Sequence, residues 1–198
     1  MAENSEIALV GGHYPDLADP AASALDATIT GLQGRQRLGK DVTASLAFGV
    51  APGSLDDGPS MGGELEVQGR VLDEKPITVG LTGGLSAIGT PDAESLGLIG
   101  GFSVGAAVSR GLPADLRPFL AFKLNPVFGG GALYPWITTG GGLTWRPVVA
   151  PGTRGLLGIE AFYMHGFGAN LSEDTPSDIA TWGAMAQVGA AFGNERAK

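Results

Sequence analysis

The chain contains no cysteine. That excludes disulfides and thiolate metal sites and is compatible with an oxidising compartment. Charge is sparse as well: Asp, Glu, Lys and Arg supply only 16% of residues, and the balance is a net −8. With that sign and no basic patch, nucleic acid is not an expected partner. No apolar run reaches the roughly 18 residues a membrane-spanning helix needs. The opening residues, MAENSEIALV, lack a basic segment followed by an apolar one, so no secretory signal is visible in them. Met1 is expected to be a start placed ahead of a mature Ala2-Glu3 end, with a signal peptide already removed.

Glycine, by contrast, is abundant. The 34 glycines sit inside alternating apolar stretches and not in Gly/Ser linkers. The clearest such stretch is SLGLIGGFSVGAAVSR, Ser95 to Arg110. Leu96, Leu98, Phe102, Val104 and Val108 fall on one face; Gly97, Gly101, Ser103, Gly105 and Ser109 fall on the other. This is a period of two held over an unusually long segment, with no charge on the polar face before Arg110. Similar segments are expected at about 6–12, 24–32, 41–51, 61–72, 76–89, 117–128, 133–146, 154–167 and 179–192. No interdomain linker, long helix or longer repeat interrupts them. The reading is a single domain over residues 1–198, with wall strands from about 6 to 192 and a polar tail at 193–198.

Alternation does not tell a soluble barrel from a membrane barrel; the inventory of the two faces does. From the third strand onward the apolar row carries no Asp, Glu, Lys or Arg short of Arg110 at a strand end, and its one other ionisable member is His165. The charges Glu64, Glu66, Arg70, Lys123, Arg146 and Glu160 all fall on the other row, which is otherwise mostly Gly, Ala, Ser and Thr. A soluble barrel coats its outer face with Lys and Glu. A small membrane barrel fills a narrow interior with short side chains and a few paired charges, and closure satisfies every backbone group in lipid. The expected fold is therefore all-β: a closed, antiparallel, up-and-down transmembrane barrel of eight to ten strands. The six charges form a candidate lumen network, weighed as an ion-pair plug first and a narrow ion path second. A soluble barrel binding an apolar ligand is the alternative outside the membrane class.

The connections divide in the same sense. With the N-terminus on the inner side, the long connections carry Asp16, Asp19, Asp56, Asp57, Asp92, Glu94, Glu173, Asp174 and Asp178; the short ones hold Arg35, Arg37, Lys40, Arg117 and Arg154. Arg35, Arg37 and Lys40 are expected in a basic connector, 33–40, and Ile29 in the apolar row before it. The acidic loops show no EF-hand spacing and read as solvated. Trp136, Trp145, Tyr134, Tyr163, Trp182 and Phe192 lie towards strand ends, as an aromatic girdle would.

No enzyme is expected, and no cofactor or metal. His13 falls in a turn beside Tyr14 and Asp16 with nothing to position it. Glu64 and Glu66 share a face but lack a cleft, and Gly129-Gly130-Gly131 has no following Lys-Ser/Thr to hold phosphate.

The last strand carries a family likeness. Gln187-Val188-Gly189-Ala190-Ala191-Phe192 resembles the C-terminal signal of Gram-negative outer-membrane barrels: a polar residue, Gly two later, an aromatic three later still. Position 194 departs from it, with Asn194 where a second aromatic should stand. The resemblance implies an outer-membrane location and reading of Gln187, Gly189 and Phe192 by the barrel-assembly machinery. It also implies lipid or lipopolysaccharide as surroundings, with room for an envelope protein partner. Outer-membrane lipid A deacylases pair a His with a Ser two residues on; here Phe167 follows His165 at that spacing, which removes the deacylase reading.

Overall fold

The computed structural model describes residues 5–14, 27–51, 59–74, 76–91, 96–129, 132–167 and 178–193. The acidic loop residues Asp16, Asp19, Asp56, Asp57, Asp92, Glu94, Glu173 and Asp174 and the tail from Asn194 lie outside them. So do the side chains of Leu96, Leu98, Tyr134 and Asp178.

Ten long strands form the wall: β1 (Ser5–Tyr14), β2 (Ala27–Arg37), β3 (Val42–Ala51), β4 (Ser60–Glu74), β5 (Ile77–Pro91), β6 (Leu96–Arg110), β7 (Leu116–Gly129), β8 (Ala132–Trp145), β10 (Thr153–Phe167) and β11 (Asp178–Phe192). A short β9 (Val148–Ala150) pairs only with the start of β10. Each long strand runs antiparallel to its sequence neighbour, and β11 pairs with both β10 and β1, closing the sheet. Closure leaves no edge, which is the condition for a sheet to sit in hydrocarbon.

The wall is strongly sheared. Paired residues lead from Pro118 through Leu143, Ile159, Ala186, Gly11, Thr30, Val50, Met61 and Gly89 to Leu98 on β6. Leu98 lies two residues beyond Gly100, the partner of Phe128, so one circuit climbs twelve residues along β7. Ten strands with that stagger tilt by about 40° and enclose a backbone cylinder of about 10 Å radius.

Apolar bulk is on the outside. Leu85 and Ile159 are 64% exposed and Leu46 62%, whereas Ser45 and Ser103, which face inward, are 9% and 5% exposed. Among the described residues no large side chain is fully buried. A soluble core would invert this order, and a lipid face requires it. Trp182 and Phe192, both outward on β11, are ten residues apart. At about 3.3 Å per residue and a 40° tilt, that is an apolar band about 25 Å tall. Tyr163 packs against Trp182 at the long-loop end, ring centroids 4.9 Å apart, and Trp145 is exposed at the short-turn end, its indole Nε1 donating to the Ala114 carbonyl at 3.1 Å.

Four expectations are corrected. First, the basic connector does not exist: β2 continues to Arg37, because Gln33, Arg35 and Arg37 alternate onto the lumen face. The register that pairs Leu9 with Leu32 and Gly12 with Ile29 puts Leu32 outside and Ile29 inside, reversing the parity expected for this strand. Second, Trp136 leaves the girdle and shares the inward row of Thr138; a Cβ on its partner Gly166 would sit 2.9 Å from the indole. Third, His13 lies on β1, not in a turn, with Nδ1 3.5 Å from Thr28 Oγ1 on β2. The expected alternation near Val71 is broken by a bulge: Arg70 pairs with Gly80 and Leu72 with Val79, so Val71 is the extra residue.

Candidate functional site in the lumen

Inward side chains line a cavity of about 860 Å³ that extends from Arg37 and Lys40 at the short-turn end to Ile29 and Met164 near the other. Ion pairs brace it at two levels, on opposite sides.

The upper brace starts from Lys123 on β7. Its Nζ is 3.2 Å from Glu64 Oε1 and also contacts Glu66 Oε2, both on β4. Two strands, β5 and β6, lie between. They present Thr82, Gly84, Ser103 and Gly105 inward, and these small residues form the trough that lets lysine cross. A Cβ on Gly105 would come 2.8 Å from Lys123 Cγ, and one on Gly84 would come 2.8 Å from Ser103 Oγ. The buried Ser103 Oγ and Thr82 Oγ1 have no hydrogen-bond partner among the described residues. Glu160 on β10 faces the same cavity and lies within the fields of Lys123 and Glu66, with no cation inside 4 Å among the described residues. The waist thus holds three carboxylates against one ammonium.

The lower brace starts from Glu6 on β1. Its Oε1 is 2.7 Å from Arg146 Nη1, just past β8, and its Oε2 is 3.6 Å from Arg35 Nη1 on β2. The wall between β8 and β1 is made by β10 and β11, whose Leu156 and Ala191 are buried. Glu6 and Arg146 are themselves only 13% and 12% exposed, so each offsets the other's charge where little water reaches. At the rim, Arg70 pairs with Asp73 at 2.7 Å, Thr78 Oγ1 donates to the same carboxylate at 3.2 Å, and Arg154 pairs with Asp115 at 2.7 Å.

The six charges read from the sequence are therefore distributed over separate groups. Glu64, Glu66 and Lys123 form one brace with Glu160 beside it, Arg146 belongs to another with Glu6 and Arg35, and Arg70 sits at the rim with Asp73. Glu6 was missed, although its position opposite the row of Ile7 and Leu9 marks it as inward.

The last strand also closes the barrel. Gln187 faces inward over Gly158, and a Cβ on Gly189 would run into the Ile7 carbonyl of β1. Phe192 faces outward at the short-turn end, opposite Ser5 and Thr153. His165 lies in the outer aromatic cluster, its Nδ1 3.3 Å from the Tyr163 hydroxyl. Among the described residues no group of three or more His, Asp or Glu could hold a metal ion.

No family model matches the sequence, and no curated protein does. Solved structures do. The β domain of the Bordetella autotransporter BrkA is similar, with a TM-score of 0.55 at 12% identity over 96% of this chain and 100% of that one. The outer-membrane protease OmpT of Escherichia coli gives 0.49 at 12% identity, covering 96% and 95%. The translocator domain of the autotransporter NalP from Neisseria meningitidis gives 0.48 at 10% identity, covering 98% and 90%. The chain has the fold of Gram-negative outer-membrane β-barrels, the class its C-terminal strand resembles. At such identities the likeness concerns fold and not activity.

Proposed function

We propose that the protein works in the outer membrane of a Gram-negative cell as a barrel of the structural or interaction type, with acidic loops offered to the exterior or to an envelope partner. The observation that carries this reading is the pair of braces. Each fixes charges from strands three apart in the wall, Lys123 to Glu64 and Glu66 and Arg146 to Glu6. Braces on opposite sides occupy part of the lumen, as in small barrels whose interiors are filled by side chains. The apolar outer face and the assembly-signal resemblance at Gln187, Gly189 and Phe192 support the location. No catalytic constellation is assigned to it.

A second reading, a narrow porin-like channel for ions or small solutes, is favoured by one observation: the cavity of about 860 Å³ that continues past both braces. Planar bilayers separate the two. The first reading expects the folded protein to insert without steady conductance. Steady, ion-selective steps abolished by Glu66→Ala would establish the second and remove the first.

A further inference from the structure

The lumen charge is unevenly distributed along the barrel. Above the waist, no Asp, Glu, Lys or Arg lines the cavity among the described residues. The waist has an acidic surplus. The short-turn mouth has a basic one: Arg35, Arg37, Lys40, Arg117 and Arg146 face the cavity there, against Glu6 and Asp41, while Arg70 pairs with Asp73 at the rim. This concentration occurs in a chain whose net charge is −8.

Three of these cations have no carboxylate within 4 Å among the described residues: Arg37, Lys40 and Arg117. Arg37 is not loose. Its Nε donates to the Gly39 carbonyl at 2.7 Å and a terminal nitrogen donates to the Lys40 carbonyl. Neutral carbonyls hold the guanidinium in place without cancelling its charge. Arg37 ends β2 and Arg117 is the second residue of β7. In a ring of ten strands β2 and β7 stand five apart, so these two guanidinium groups approach the lumen from opposite sides of the same mouth.

From this arrangement we infer that the short-turn mouth is a binding site for multivalent oxyanions, such as polyphosphate or polycarboxylate solutes. Arginine presents a planar fork suited to such oxygens. Two forks facing across a lumen select an anion with charge at both ends over a single compact one. The acidic waist, Glu64, Glu66 and Glu160, stops that anion from continuing. The mouth is thus a dead end that holds an anion entering from the side where β1 begins and β11 ends. Neither braced nor conducting behaviour of the waist is required for this, so the site stands or falls separately from the function proposed above.

The test is titration calorimetry on the detergent-folded barrel at low ionic strength, with inorganic tripolyphosphate and with orthophosphate. Saturable 1:1 binding of tripolyphosphate is expected, about tenfold or more tighter than orthophosphate and weakened by added salt. Arg37→Gln and Arg117→Gln should each weaken it by about tenfold, Arg117→Lys by less, and Arg110→Gln, at the same end but on the outward row, not at all. Heat-modifiable gel mobility confirms that each variant is folded. Repeating the titration in zwitterionic and in phosphatidylglycerol nanodiscs distinguishes a solute from a lipid headgroup: unchanged affinity supports the solute, and abolition by the anionic lipid overturns it. Absence of saturable binding overturns the site. So does equal binding by wild type, Arg37→Gln and Arg117→Gln, or an equal loss with Arg110→Gln.

Discussion

Lys123 Nζ lies 3.2 Å from Glu64 Oε1 although β5 and β6 stand between their strands. The pair exists because those two strands turn glycine, serine and threonine inward. The small-residue face that marks β6 in the sequence is thus the bed of an ion pair formed by its neighbours.

Filling that bed should break the pair. A Cβ on Gly105 meets the Phe122 carbonyl and comes 2.8 Å from Lys123 Cγ, while one on Gly69 has nothing within 4 Å. Gly105→Val is expected to cost about 2 kcal/mol or more and Gly69→Ala less than about 0.5 kcal/mol, read from urea unfolding in lipid vesicles. Equal effects would show that the trough is not packed.

The lower brace should behave as a coupled unit. Glu6→Gln removes the carboxylate charge 2.7 Å from Arg146 Nη1 in a poorly exposed place and is expected to cost about 1–3 kcal/mol. In a double-mutant cycle, adding Arg146→Gln should recover about 1 kcal/mol or more of the combined loss. Strict additivity would mean the two side chains do not act together.

The two faces of β6 give opposite responses to charge. Phe102 points outward and Gly101 inward. Phe102→Lys is expected to destabilise the vesicle-folded protein by about 2–4 kcal/mol more than Gly101→Lys, since lysine at mid-membrane depth is costly. The reverse order would mean that the faces are exchanged.

Phe192 is exposed at the end of the closing strand, so its aromatic ring contributes little to packing inside the wall. Phe192→Ala should therefore refold in detergent nearly as wild type, within about 1 kcal/mol, yet yield less folded barrel in cells. Equal loss in both settings would assign Phe192 to stability and leave the assembly-signal reading without support.

Much of the wall was legible because lipid imposes one rule on every outward position. Nine of the ten expected segments agree with the observed strands to within about two residues at each end, inside the ordinary uncertainty of strand boundaries. β2 failed because its outward row, Thr28, Thr30, Leu32, Gly34 and Gln36, holds a single large apolar residue, so Ile29 on the other row set the apparent phase. Trp136 failed because its aromatic character suggested an interface, while the space over Gly166 that takes it inward depends on the β8–β10 register. The charge groups were legible only as a list. Parity tells which face Glu6, Arg146, Glu64 and Lys123 occupy. Which of them meet depends on shear and on the β1–β11 closure, and both are set by pairings between residues distant in sequence.

Single-channel recording is the sharpest check on the proposal that the two braces narrow the lumen. Wild type and Lys123→Ala/Arg146→Ala would be compared in the same planar bilayers, each first shown to be folded by its heat-modifiable mobility. No steady conductance is expected from wild type, and steady open steps are expected from the double variant. Large steady steps from wild type, unchanged when both braces are removed, would contradict it.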